Sequence, residues 1–558
     1  MIGALKLEPF NAGVHADVAG YKNLAFVGKW RELCPGTGVD IIDISRPATP
    51  VKIADTLDYL DTSMEDMQAI RIGERDVLAI GLQDCGNVPT PGVGKSGLEL
   101  YDITDPHNPQ LLSLFDVDQS GVDVTGVHEL DLTATPSGRV LALLAVPNLE
   151  ALTFRPPAPS IGDLLILDIT DPTNPTLIGE WGVLDEPALG LDFYLGVAQG
   201  GDARTLLHSV RANQNGTRAY LSYWDAGFII LDISNPSSPV FRGFAPKTAP
   251  DDSYGPDEEG NAHSVDEARG GNILVTADED FSPFHLEFSV TAPASIAGQY
   301  PAVEGAFTKP IVTLPGRVMT GEVVHVGRGC PENSIVPGSP ADPYLADPNG
   351  KIALIERGAC RFDEKIGRAQ LAGAIGAIVY NTAAGGDALV LMSGRQAFTL
   401  ADGRPVEINI PGIFVGRSAG VALRDAFDAV QVVSVKASAV FDGWGFLRFF
   451  DIKDPTNPKQ LSTFATANTN NEDVALEGIW SVHNPEVRGN TVYASWYSDG
   501  VRIIDISSPS APREIGFWVG EGAPSDAPPV NIWSVVPHGD LLLVSDRNFG
   551  LYILKHTP

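Results

Sequence analysis

Residues 164–175 read LLILDITDPTNP: an apolar run, Asp-Ile, a polar pair, and two prolines separated by two residues. The apolar run has the length of one buried strand. A proline cannot donate to a sheet ladder and an Asp caps its own turn, so the strand ends in a rigid loop. The phrase occurs six times, at 43–50 (DISRPATP), 102–109 (DITDPHNP), 168–175 (DITDPTNP), 232–239 (DISNPSSP), 451–458 (DIKDPTNP) and 505–512 (DISSPSAP). Successive copies start 59, 66, 64, 219 and 54 residues apart, a period near sixty that is interrupted once. These loops read as structural and carry no expected chemistry.

Upstream of each copy lies another apolar strand: LAFVG from Leu24, VLAIG from Val77, VLALLAV from Val140, AYLSYW from Ala219, ILVTAD from Ile273, VYASWY from Val492, and a seventh, LLLVSD from Leu541, that ends in GLYIL without the proline phrase. Repeats of about this length, built from short strands separated by turn signals, describe a β-propeller. The N-terminal ALKLEPF has no unit of its own, so it is expected to supply the outer strand of the seventh blade, closing the ring without exposed edges. The fold class expected is mainly β, a seven-bladed propeller. The units resemble LVIVD repeats, over about 1–295 and 440–558; the resemblance implies this fold and an extracellular or cell-surface setting, and little about activity.

The long step holds one propeller unit and roughly 150 further residues. Its centre, residues 350–382, reads GKIALIERGACRFDEKIGRAQLAGAIGAIVYNT, a strand, a helix and a strand. RGACRFDEK, AQLAGAIGAIVYN and IPGI (410–413), in that order, closely resemble a protease-associated (PA) domain spanning about 305–438. The expected organisation is therefore a first propeller segment at 1–295, holding blades 1 to 4 and the start of blade 5, then a small α/β PA-like domain inserted in blade 5 at 296–439. A second propeller segment at 440–558 ends blade 5 and adds blades 6 and 7. The PA resemblance implies a non-catalytic lid, substrate-capture surface or interaction module, and a disulfide between Cys330 and Cys360. Cys34 and Cys85 follow equivalent strands of consecutive units and are a second candidate pair. Two disulfides would mean an oxidising compartment; four unpaired buried thiols would mean a cytosolic chain.

Composition agrees with this reading. Of 558 residues, 58 are Gly and 43 Pro, which suits many turns and excludes a mostly helical protein. A formal charge of −32 repels phosphate backbones and anionic membrane surfaces, so nucleic acid is excluded as a partner. No apolar run is long enough to span a bilayer, and the first residues show no secretory signal, as expected of a cytosolic or a processed chain.

The candidate chemistry lies just ahead of each innermost strand: VHADV (His15), QAIR (Gln68), VHELD (His128), LHSVR (His208), AHSVD (His263), VHNPE (His483) and IWSVV (Trp533). Five of the ten histidines share one register, and in a propeller such a register lines the central axis at one height. Imidazole is the commonest ligand of Zn, Cu or Fe, so His15, His128, His208, His263 and His483 are the expected metal ligands, with Glu129 and Asp266 as supporting carboxylates. A bland alternative is an internal hydrogen bond copied by duplication. Two acidic stretches, 116–121 (DVDQSG) and 251–259 (DDSYGPDEE), suggest Ca or simply solvated loops. GVGKS at 92–96 lacks the first glycine of a P-loop, and neither HExxH nor GxSxG occurs.

Two functions from different classes follow. One is a secreted or cell-surface binding protein, its PA-like domain acting as lid or recognition module for a protein, peptide or glycan. The other is a metal-dependent oxidase or hydrolase with its site on the axial histidines, gated by the PA-like domain.

Overall fold

In the computed structural model the described residues are 1–30, 38–85, 94–117, 126–147, 163–183, 206–224, 227–245, 261–331, 342–399 and 404–556, with 186, 189, 334, 336 and 338. The chain forms two compact units, Met1–Pro283 with Gly443–Pro558, and Phe284–Asp442.

The first unit is a seven-bladed propeller of antiparallel sheets, as the repeat predicts. Blades 1 and 4 show the plan: His15–Tyr21, Leu24–Lys29, Asp40–Asp43 and Val51–Asp55 form one sheet, and Ser209–Ala212, Arg218–Ser222, Phe228–Asp232 and Val240–Ala245 another. The second and third strands of blades 1 and 4 are almost wholly buried and the fourth strands are only partly buried, as inner and outer positions in a ring require. Gly3–Lys6 pairs with Gly550–Leu554, so the N-terminus does close the seventh blade.

The proline phrase has one geometry throughout. In all six copies the aspartate carboxylate accepts the N–H two residues on, at 2.8–3.0 Å: Asp43 from Ser45, Asp102 from Thr104, Asp168 from Thr170, Asp232 from Ser234, Asp451 from Lys453 and Asp505 from Ser507. The turn then presents its proline carbonyl to the outer strand of the preceding blade. Ser113 and Ser462 donate to the carbonyls of Pro172 and Pro509, and a Cβ on Gly179 or Gly243 would stand 1.9 or 1.7 Å from that of Pro236 or Pro455. Small residues there are required by backbone contact between blades.

Innermost strands are clamped to one another by side chains. Gln68 Oε1 accepts the Leu132 N–H at 3.0 Å, Asp131 that of Ala212 at 2.7 Å, and Asp266 that of Val487 at 2.7 Å.

The second unit interrupts blade 5 between its strands Ile273–Glu279 and Leu447–Asp451, which pair directly with each other. It is an α/β sheet in which Val318–Gly327, Ile352–Glu356, Gly376–Tyr380 and Gly412–Val415 run parallel, with helices Phe362–Leu371 and Arg417–Asp428. An antiparallel ladder between Phe284–Ala292 and Ser434–Phe441 carries this sheet to both junctions. Cys330 and Cys360 are joined by a disulfide. Cys85 is disulfide-bonded as well, and Cys34 lies outside the described residues.

Candidate metal centre

Four of the five register histidines meet on the axis. The rings of His128 and His208, of His208 and His263, and of His263 and His483 have centroids 4.1, 4.1 and 4.2 Å apart. All four are buried. They come from blades 3, 4, 5 and 6, and the backbone holds them alike: the N–H of His128, His208 and His483 each bonds the carbonyl ending its blade's second strand, Ala145, Ser222 and Ser495.

Three of their Nδ1 atoms are turned toward acceptors on other blades, while that of His263 is buried without a hydrogen-bond partner. His208 Nδ1 faces the His263 carbonyl at 3.0 Å and His483 Nδ1 the Trp533 carbonyl at 2.7 Å. His128 Nδ1 faces Glu65 Oε2 at 2.8 Å and Gln83 Oε1 at 3.3 Å. Such partners fix the proton on Nδ1 and leave Nε2 as the lone-pair nitrogen, the arrangement found around metal-bound histidines. Burial, and then the neighbouring histidines, push His208 and His263 well below the usual imidazole range; burial and His208 do the same to His483. These rings are neutral, the form that ligates.

The Nε2 atoms of His128 and His208 stand 2.6 Å apart. At that distance one ring donates an Nε2 proton to the other, and an ion bound beside the pair would take that proton's place with the rings slightly parted. Two ligand groups fit such an ion, Glu129 with His208 and His263, and His263 with Glu279 and His483; within each, the ligand atoms lie within 4.8 Å of one another.

The surroundings are rich in buried carboxyl groups whose charged form burial disfavours. Asp17 and Glu129 are pushed up, first by burial and then by each other's neighbours: Asp66 and Glu65 for Asp17, Asp17 and Asp66 for Glu129. Burial lifts Asp66 to about 6 and Glu279 to about 8. The half-buried Arg211 is held by Glu486, Asp131, Asp266 and Asp66, which keep its guanidinium charged against the cost of burial. A bound cation would draw the protons off the buried carboxyls beside the histidines and hold them ionised.

Aromatic rings pack over the histidines. Trp30 lies 4.9 Å from His128, Trp224 stacks on His208 at 4.7 Å, and Trp533 lies 4.3 Å from His483. Trp224 and Tyr497 follow equivalent strands and both adopt left-handed backbone conformations, φ 44° and 32°, a strain characteristic of functional sites.

Two positions depart from the expected register. His15 makes no ring contact with the other four among the described residues; it lies near Lys29, and burial together with that ammonium lowers it to about 4. In blade 2 the histidine position is taken by Glu65. Gln68 instead matches Asp131 and Asp266, because all three clamp the residue four beyond the next blade's register position. Glu279 was not singled out by sequence. It stands where the other blades have Trp30, Trp224 and Tyr497, and that substitution was the available signal. Asp266 serves as an inter-blade clamp. Most of 116–121, all of 251–259 and part of 92–96 lie outside the described residues.

Comparisons agree with the two units. A model of the PA domain matches residues 319–423, and one of the LVIVD repeat matches 12–56, 158–182, 215–244 and 482–518. Similar proteins include the C5a peptidase of Streptococcus pyogenes serotype M3, 33% identical over 156 residues, covering 26% of this chain and 12% of that one. An aminopeptidase of Pseudomonas aeruginosa is 35% identical over 138 residues, covering 24% and 23%. The chain thus spans less than a quarter of either relative. Among solved structures, a hypothetical selenium-binding protein from Sulfolobus tokodaii aligns with 51% of this chain and 64% of its own at 12% identity and a TM-score of 0.32, too low to carry an argument. No helix among the described residues is long and apolar enough to cross a membrane. The chain carries LVIVD repeats folded as a seven-bladed β-propeller, with a PA domain set into its fifth blade.

Proposed function

We propose that this is a metal-dependent propeller protein of an oxidising, extracellular setting, in which His128, His208, His263 and His483 hold one transition-metal ion and the PA domain is a non-catalytic recognition module. The observation that carries the reading is the convergence of buried His208, His263 and His483 with Glu129 and Glu279 in two overlapping groups whose ligand atoms lie within 4.8 Å of one another, His128 Nε2 adjoining His208. Four imidazoles form a nitrogen-rich donor set that suits Zn, Cu or Fe and does not suit Ca, which takes six to eight oxygens.

The chain's own residues orient and shield this centre. Glu65, Gln83 and the carbonyls of His263 and Trp533 fix the ring orientations. Trp30, Trp224 and Trp533 cover the rings with apolar surface and limit water. When bound, the ion would supply Lewis acidity or one-electron chemistry, the requirement of a hydrolase or oxidase. The Cys330–Cys360 disulfide supports an oxidising compartment. The likeness of this domain to parts of a C5a peptidase and an aminopeptidase supports a recognition role toward protein or peptide ligands.

Elemental analysis of the purified full chain, before and after incubation with Zn, Cu and Fe salts, tests this. About one ion per chain is expected, lost in the His128→Ala/His263→Ala double variant. A wild-type chain that stays metal-free under every loading overturns the proposal and leaves the binding-protein function, with a proton shared between the two Nε2 atoms.

A further inference from the structure

The second strand of each blade ends at a position facing the axial layer, and three blades fill it with an aromatic ring: Trp30, Trp224 and Tyr497. Blade 5 places Glu279 there, 3% exposed. Its Oε2 lies 3.5 Å from His263 Nε2 and its Oε1 4.0 Å from His483 Nε2. These separations are long for hydrogen bonds. They are what a shared ion produces: ligands at about 2.1 Å from one metal stand roughly 3.0 to 4.2 Å from each other, from cis to trans.

The remaining nitrogen chemistry points the same way. His483 Nε2 is buried and makes no hydrogen bond, although a carboxylate faces it. The carboxylate is itself held, because the buried Tyr497 hydroxyl donates to Glu279 Oε1. Tyr497 is fixed in turn by its strained φ of 32° and by edge contacts with His483 at 5.2 Å and Trp533 at 5.9 Å.

We propose that Glu279 is a ligand of the axial centre, oriented by Tyr497 as a positioning residue, so that the site is a four-histidine, one-carboxylate set selecting a divalent ion such as Fe(II) or Zn(II) over Cu(I). This rests on the four-histidine metal centre proposed above. The selectivity follows from donor hardness: a carboxylate favours harder divalent ions and adds nothing for soft Cu(I). It also follows from charge, since an anionic fifth donor leaves a divalent centre nearer neutrality in a buried site.

Competition titrations on the metal-stripped full chain test the proposal with Zn(II), Fe(II) and Cu(I) as probes, and Co(II) as the spectroscopic reporter. Glu279→Gln should weaken Zn(II) and Fe(II) by about 10- to 100-fold or more, the range for altered metal surroundings, and leave Cu(I) binding unchanged. Its Co(II) complex should gain visible absorption as coordination falls toward four. Tyr497→Phe removes one hydroxyl and should weaken the divalent ions by up to about tenfold with a smaller spectral change in the same direction. Wild-type-like affinities and Co(II) spectra in both variants overturn Glu279 as a ligand while the metal centre stands. Failure of the wild-type chain to bind any of the four ions overturns the metal centre itself.

Discussion

Two registers of the same repeat have had opposite histories. At the rim, the proline phrase keeps one geometry in all six copies, with the same aspartate bond at 2.8–3.0 Å. On the axis, the equivalent position of seven blades holds His15, Glu65, His128, His208, His263, His483 and Trp533. A position that serves blade-to-blade packing must meet the same demand in every blade, so duplication preserves it. A position that builds one site around an axis needs different groups from each blade. Symmetry marks the scaffold here, and its loss marks the candidate site.

The contrast can be broken at either register. The largest expected effect is His208→Ala, which removes the ring between His128 and His263 and should cut metal affinity by about 100-fold or more, one ligand's share of a typical binding energy; isothermal titration measures it. Gly243→Ala attacks the scaffold, because the new methyl meets the Pro455 carbonyl. It should cost about 1–3 kcal/mol by overpacking, read from denaturant unfolding, with metal stoichiometry unchanged. Asp168→Ala removes one turn bond and should cost about 1 kcal/mol, again without loss of metal.

A smaller effect should appear in acid. Hydrogen bonds from Arg242 and the Ser234 N–H hold the Asp232 carboxyl at about 2, below its ordinary value of 3.8. A depressed folded value stabilises above the unfolded value and is lost as pH falls from about 4 toward 2, so Asp232→Asn should flatten that limb of a stability profile. The smallest effect belongs to His15→Gln, which should leave metal content and affinity at wild-type levels despite altering a register histidine.

Much of the fold was legible because packing between blades writes a periodic signal: the rim phrase gave the period, the seven upstream strands gave the blade count, and the lone ALKLEPF segment gave the closing strand. The PA domain was legible as a run of ordered motifs. Site residues were legible only where chemistry and register coincided, as at His128, His208, His263 and His483. Glu65 escaped because blade 2 has no histidine to anchor the alignment, and Gln68, three residues on, looked like the occupant. Glu279 escaped because the one signal for it, a carboxylate where three other blades carry Trp30, Trp224 and Tyr497, appears only once strand ends are aligned and does not by itself say that it faces two imidazoles. His15 has the right register and the wrong neighbours, since blade 1 places the Lys29–Asp40 ion pair beside it. Register says which strand end carries a residue; the company it keeps is set by side chains distant in sequence.

The most direct measurement is an anomalous-scattering crystal structure of the metal-loaded full chain, collected at the absorption edge of the bound element. The account predicts one strong peak on the propeller axis within bonding distance of the Nε2 atoms of His128, His208, His263 and His483. An axis without an anomalous peak, or a peak bound elsewhere on the chain, would contradict it.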